Sequence, residues 1–240
     1  MQALRLEDLK SELKQYQNPA KSMFLKKYFT KETIPSDEIF LGIRVPDSRK
    51  VAKQFIDLDF NDVQILLESN IHEEKLIALF ILVLKYKRAD DHLKDQIARF
   101  YLKHTNFINS WDLVDSSASY ILGDYLLRKD RQIIYKLVKS DKWWERRIAV
   151  LTTARFINAK EYQDTFNLAE MLLDDKHDLI QKAVGWMLRE IGKRISPEIE
   201  KEFLNKHYQV MPRTMLRYAI EHFSEDLRQK YLKNKIKIYF

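Results

Sequence analysis

The sequence predicts an all-α fold, an α-solenoid of HEAT-like helical repeats. Three observations point there. Only 4 Gly and 5 Pro occur in 240 residues, too few for a fold built on tight turns. Apolar residues recur at helical spacing, and no alternating apolar run bounded by Gly or Pro marks a strand. The joints between periodic segments, such as Asp90-Asp91 and Asp174-Asp175-Lys176, are short and polar, so successive helices should be antiparallel neighbours. One helix pair then takes about 35–40 residues. The pairs share little identity, so the repeat is a geometric expectation. The expected molecule is a single domain over residues 1–240, curved, with a basic concave face. A globular all-α bundle is the other architecture the pattern permits.

The elements follow in order. Leu4, Leu6, Leu9 and Leu13 set a first helix within 4–16. Asn18-Pro19 ends it and opens a second, with Pro19 as its first residue, running to about Thr30. Pro35-Ser36-Asp37 makes a turn, and Phe40-Leu41-Gly42-Ile43-Arg44-Val45 leads to Pro46-Asp47, which opens the next helix. Helices are then expected at about 47–57, 60–70, 73–88, 90–104, 110–128, 130–139, 143–158, 161–175, 177–193, 197–208, 212–222 and 224–234. The 73–88 segment has no polar face between Leu76 and Leu84 and should be buried on most sides.

Composition bounds the function. Hydrophobic residues at 45% and charged residues at 32% describe a chain that can bury a core. The absence of cysteine excludes disulfide and thiolate chemistry and fits a reducing compartment. No apolar run approaches the roughly 20 residues of a membrane span, and Met1 to Tyr16 lacks an apolar signal core. A cytoplasmic location with no membrane partner is expected. The net charge of +7 favours a polyanion partner. The six histidines at 72, 92, 104, 177, 207 and 222 show no metal-ligand spacing, so no metal is expected. No GxGxxG, Walker loop or GxSxG occurs, which argues against nucleotide-cofactor enzymes and triad hydrolases.

Chemistry concentrates in Ser110-Trp111-Asp112-Leu113-Val114-Asp115, at the head of the expected 110–128 helix, with Ser110 as N-cap. Trp111 and Asp115 are four apart and share a face. An indole face and a carboxylate side by side suit a cation, or a centre that becomes cationic in a transition state. The plainer reading is a half-buried packing residue beside a solvated charge. In Gln181 to Glu190, Lys182, Trp186 and Arg189 fall at i, i+4 and i+7 on one face, which suits a phosphate backbone beside a stacking surface. A core Trp with basic stems lying over it fits the same spacing. Gly185, costly in a helix interior, implies a close approach to the backbone. Arg146 and Arg147 sit near a helix start, where the dipole gives them nothing. They are either solvated or retained for a role.

These residues resemble a known family. Trp111-Asp112-Leu113-Val114-Asp115 followed by Gly123-Asp124 resembles the WD-x-VD…GD segment of the bacterial DNA alkylation repair glycosylases of the AlkD type. The resemblance extends to Asn18-Pro19 with Tyr28 ten residues on, to Phe40-Leu41-Gly42-Ile43, to Trp144 with Arg147, and to Gln181-Lys182-Ala183 with Gly185-Trp186, Leu188 and Arg189-Glu190. It implies a HEAT-like superhelix wrapping duplex DNA along its concave face. It also implies base excision repair by hydrolysis of the N-glycosidic bond of cationic N3- and N7-alkylated purines, without metal or redox cofactor. By the same resemblance Asp115 is the catalytic carboxylate, Trp111 and Trp186 are the aromatic pair at the lesion, and Tyr28 is the third aromatic. Arg147 is the arginine of the catalytic site, and Lys182 and Arg189 occupy basic positions. Arg44 is expected to join Arg147, Lys182 and Arg189 as a phosphate or near-phosphate contact, in a protein working as a monomer.

The chemistry agrees. An alkylated purine of this kind is already positive and leaves readily. Breaking its bond to the sugar passes through an oxocarbenium-like state, which a nearby carboxylate stabilises. Little general-acid help is needed. The competing function is a non-catalytic helical-repeat module that grips DNA or protein.

Overall fold

The computed structural model describes residues 6–27, 29, 34 and 36–236. The described chain is helical throughout, in two compact units that meet in sequence between Ser117 and Ala118. Its one β-type pairing is an isolated bridge between Ile39 and Ile71. Among the described residues no helix is long and apolar enough to cross a membrane.

The first unit holds α1 (Leu6–Lys14), α2 (Pro19–Lys26), α3 (Val45–Gln54), α4 (Phe60–Leu67), α5 (His72–Arg88), α6 (Asp91–Lys103) and α7 (Trp111–Asp115). Asn18 caps α2 by accepting the Lys21 N–H at 3.0 Å, with Pro19 first in the helix, as the sequence leads one to expect. Asp59 and Asp90 cap α4 and α6 in the same manner. Helix α5 is buried from Leu76 to Val83. It packs against α3, α4 and α6, and α1 packs against α3.

The second unit holds α8 (Asp124–Leu126), α9 (Gln132–Leu137), α10 (Trp143–Asn158), α11 (Gln163–Met171), α12 (Asp178–Arg194), α13 (Pro197–His207), α14 (Arg213–Ala219) and α15 (Glu225–Leu232). Helix α10 touches α9, α11 and α12, and α12 touches α11, α13 and α14. Each long helix thus packs on its chain neighbour and on the helix one beyond. That pattern is the signature of stacked helical repeats, so both units are helical-repeat solenoids.

Several expectations needed correction. The second helix ends at Lys26, not near Thr30, and the 60–70 helix ends at Leu67. The 110–128 segment is not one helix. It divides into α7, a turn at Ser116-Ser117, a π-helical turn at Ser119–Gly123, and α8. The hydroxyls explain the break: Ser116 Oγ donates to Leu113 O at 3.2 Å, and Ser117 Oγ to the same carbonyl at 2.6 Å, in competition with the helical ladder. The 161–175 helix is also shorter, at Gln163–Met171. Before it, Lys160 takes a left-handed φ of 67° just past the end of α10, and Glu161 N–H donates back to Phe156 O at 2.9 Å.

Gly185 has the close neighbour its position implied. A Cβ there would collide with Met215 O and Tyr218 Cβ of α14. What approaches α12 is a protein helix rather than a ligand.

Candidate functional site

The first unit contains a cavity of about 670 Å³ between α2, the 40–45 loop, α3, α5 and α7. Its walls are aromatic: Phe24, Phe29, Phe40, Phe80 and Trp111 line it. Lys21, Arg44 and Arg49 bring positive charge to it, and Asp112 and Asp115 negative charge. The Arg49 guanidinium lies 4.2 Å over the Phe80 ring, a cation–π contact inside the wall.

The loop under this cavity is fixed by one carboxylate. Glu73, in the first turn of α5, accepts the backbone N–H groups of Leu41, Gly42 and Ile43 at 2.9, 2.8 and 3.2 Å. Gly42 has φ 79°, and a Cβ there would run into Asn18 O. The loop is also tied to the start of α2, where Ser22 Oγ donates to Phe40 O at 2.6 Å and Asn18 N–H to Leu41 O at 2.9 Å. This is the physical content of the Phe40-Leu41-Gly42-Ile43 segment.

Trp111 stands half-buried at the start of α7, stacked on Phe29 with centroids 5.5 Å apart and planes at 20°. Asp115 is half-buried one turn later, and both residues line the cavity. Beneath α7, the Tyr101 hydroxyl bonds Ser117 Oγ at 2.9 Å. Burial pushes the ionisation of that phenol up, and the nearby Asp115 carboxylate adds to the shift. Ser110 occupies the N-cap position with extended backbone, but its hydroxyl does not cap the helix. It donates to Asp112 Oδ1 at 2.7 Å.

Asp112 leads into a buried chain of charges. Its Oδ2 lies 2.7 Å from His72 Nε2, and His72 Nδ1 lies 2.9 Å from Glu38 Oε1. Lys75 Nζ donates to Glu38 Oε2 at 2.6 Å. Burial by itself would lower the His72 pKa, but Asp112 and Glu38 outweigh it and raise it to about 9. Burial likewise works against the charged form of Asp112. His72 and the Ser110 hydroxyl prevail and hold its carboxyl below the usual range.

The second unit carries the remaining expected residues. Lys182, Trp186 and Arg189 lie along α12, each partly exposed. Lys182 Nζ pairs with Asp178 Oδ2 at 2.7 Å, which raises the ammonium's pKa, while Arg147 acts in the opposite direction. Arg189 pairs with Glu221, and its Nε is buried without a hydrogen-bond partner among the described residues. Neither Arg146 nor Arg147 is a solvated cation. Arg146 Nε pairs with Asp175 Oδ2 at 2.7 Å. Arg147 is 5% exposed and donates from Nη1 to Leu179 O at 2.6 Å, joining the starts of α10 and α12.

Trp111, Asp115 and Arg44 of the expected set therefore share the first unit's cavity. Arg147 and Lys182 are electrostatic neighbours in the second unit, with Trp186 and Arg189 further along α12. Tyr28 lies outside the described residues. Sequence reasoning passed over Phe29, Arg49, Glu73 and the Glu38–His72–Asp112 chain. The partners of His72 are 34 and 40 positions away along the chain, and no local spacing announces them.

A family model described as DNA alkylation repair enzyme matches residues 9–223. A solved structure described as a predicted DNA alkylation repair enzyme from Enterococcus faecalis has the same fold. It is 16% identical with a TM-score of 0.67, over 87% of this chain and 97% of that one. Comparison with curated protein sequences returned no match. The solved structure shares the fold, and the family match along nearly the whole chain shows that this protein belongs to the DNA alkylation repair enzyme family.

Proposed function

We propose that the protein is a DNA glycosylase that excises positively charged N3- and N7-alkylated purines from duplex DNA by hydrolysing the N-glycosidic bond. Family membership supports the coarser part of this reading, a role in the repair of alkylated DNA. The observation that carries the finer part is the pairing of Trp111 with Asp115, one helical turn apart at the edge of a single aromatic cavity.

The division of work follows from charge. The lesion base is a cation and departs neutral, so the positive charge moves onto the sugar as the bond lengthens. The Asp115 carboxylate stabilises that sugar cation or orients the water that attacks it. The Trp111 indole attracts the positive charge through its quadrupole, as does Trp186 where it meets DNA. Arg44, Lys182 and Arg189 contact phosphates, and Arg147, largely buried, supports the backbone at close range. Tyr28 is proposed as the third aromatic. The whole chain works as one monomeric DNA-handling domain, with no cofactor.

The test is to incubate the protein with methylated duplex DNA and assay for free methylpurine. Release of 7-methylguanine or 3-methyladenine supports the reading. Binding without release leaves the non-catalytic DNA-gripping module in its place.

A further inference from the structure

We infer that His72 is a positioning residue for the proposed excision: bonded to Glu38 on one side and Asp112 on the other, it fixes α7 so that Trp111 and Asp115 are presented to the cavity. For its link to catalysis this inference rests on the glycosylase reading. Its structural half stands independently.

Helix α7 needs such an anchor. It has five residues, far fewer than the roughly 12–15 an isolated helix needs to hold together in water. Its N-cap hydroxyl is turned onto Asp112 rather than onto the backbone. Leu113 and Val114 are fully buried and hold one side of the turn. Across the turn, the polar tether is the Asp112–His72 bond at 2.7 Å. Asp112 lies between Trp111 and Asp115 on this single turn, so a shift at Asp112 moves both.

A second route runs through the rings. The His72 imidazole stacks on Phe40 with centroids 4.5 Å apart and touches Phe29 at 5.1 Å. Phe29 in turn carries the Trp111 indole. His72 thus holds the polar anchor of α7 and one end of the aromatic column that backs Trp111.

The arrangement requires a doubly protonated ring. Both imidazole nitrogens face carboxylate oxygens, which only accept, so each nitrogen has to donate. A neutral ring would turn one lone pair towards a carboxylate and lose a bond. The charged surroundings favour the cation. Glu38 and Asp112 touch it, Lys75 is bonded to the far oxygen of Glu38, and Glu73 is turned away onto the backbone of 41–43. Lys21, Arg44, Arg49 and Asp115 are the remaining charges around the same cavity. The His72 pKa of about 9 agrees with this balance.

Three proteins test the inference: the parent, His72→Gln and Asp112→Asn. The second variant leaves the histidine in place should the first fold poorly. Single-turnover release of 7-methylguanine is followed from pH 6 to 9.5, with protein-free controls at each pH. DNA affinity and hydrogen exchange of the amides of 111–116 are measured alongside. The parent rate should fall on the alkaline side. Both variants should be slower by about tenfold or more near neutral pH, with DNA affinity within about twofold, as expected when a transition-state interaction is lost. His72→Gln should lose the alkaline fall, Asp112→Asn should move it to lower pH, and in both the 111–116 amides should exchange faster. A histidine with only a packing role would lower the melting temperature and the active fraction, yet leave the alkaline fall in the remaining activity. That result, or unchanged exchange at 111–116, overturns the inference. If the parent releases no methylpurine at any pH, the glycosylase reading fails by itself. The positioning of α7 is then decided by exchange alone, with faster exchange in the variants supporting it and equal exchange overturning it.

Discussion

Phe29 lies ring over ring with Trp111, 5.5 Å between centroids and 20° between planes. One face of the indole is therefore covered by a phenyl ring, and a cation has to use the other. Trp111→Leu keeps apolar bulk against Phe29 but removes the quadrupole. The expected loss is about 0.5–2 kcal/mol of transition-state stabilisation, roughly 2–30-fold in single-turnover excision of 7-methylguanine. Trp186→Leu is expected to behave alike. Uracil and hypoxanthine, neutral bases and poor leaving groups, should not be released by the parent protein. A Leu variant that loses melting temperature but keeps its rate would assign the indole to packing alone. Rapid uracil release by the parent would contradict a cation-based mechanism.

DNA affinity should be strongly salt-dependent and largely independent of sequence. Lys182 and Arg189 are ion-paired to Asp178 and Glu221, and these pairs must open or share for a phosphate to bind. The exposed Lys182 pair is weak, about 0–1 kcal/mol, and opens readily at low salt, whereas the half-buried Arg189 resists opening more. Each phosphate contact removed should lower the slope of log affinity against log salt by about 0.9. The Lys182→Ala, Arg189→Ala double variant should therefore lose up to about 1.8. An unchanged slope would place both residues away from the backbone.

Stability should decline from mildly acidic to alkaline pH, for two separable reasons. The His72 pKa is raised to about 9, so its contribution is complete below its unfolded value near 6.5 and is lost as pH rises through 9. Glu200 is fully buried, and burial raises its carboxyl to about 9, with Lys201 and Arg189 acting against the shift. The unfolded chain releases that proton near pH 4.5, so the buried acid too costs stability as pH rises. Asp112, with its pKa lowered, acts in the opposite sense and gives up its contribution only at acid pH. The melting temperature should thus be highest near about pH 4–4.5 and decline above it, first through Glu200 and then also through His72. Glu200→Gln should flatten the alkaline decline and raise the melting temperature at pH 8 by a few degrees. Parallel pH profiles for parent and variant would show that Glu200 is not held protonated.

Gly185→Ala probes the approach of α14 to α12. Helix propensity alone favours alanine by about 1 kcal/mol. The added methyl would meet Met215 O and Tyr218 Cβ, and forcing a helix pair apart costs about 1–3 kcal/mol. A lower melting temperature is expected. A higher one would mean that the helices separate without strain.

The helical plan was legible because the signals that build helices are local. Asn18-Pro19 and the unbroken apolar run of α5 carry their meaning within a few residues. The break after α7 was hidden because it depends on where the hydroxyls of Ser116 and Ser117 turn, not on the apolar period. Gly185 announced a close approach but not its agent. In the candidate site, Trp111 and Asp115 could be paired from their spacing alone. What holds them could not: Glu73 drew no notice at the start of the expected 73–88 helix, and His72 was one of six scattered histidines. Their partners come from other segments, and only the fold brings them together.

Asp115→Asn tests the central claim most directly. The amide has nearly the carboxylate's shape but not its charge, and that charge matters most when the sugar becomes cationic. Single-turnover release of 7-methylguanine from duplex DNA is measured for parent and variant, with DNA affinity determined in parallel. The account predicts that most excision is abolished while affinity is nearly unchanged. Equal release rates in the two proteins would contradict it.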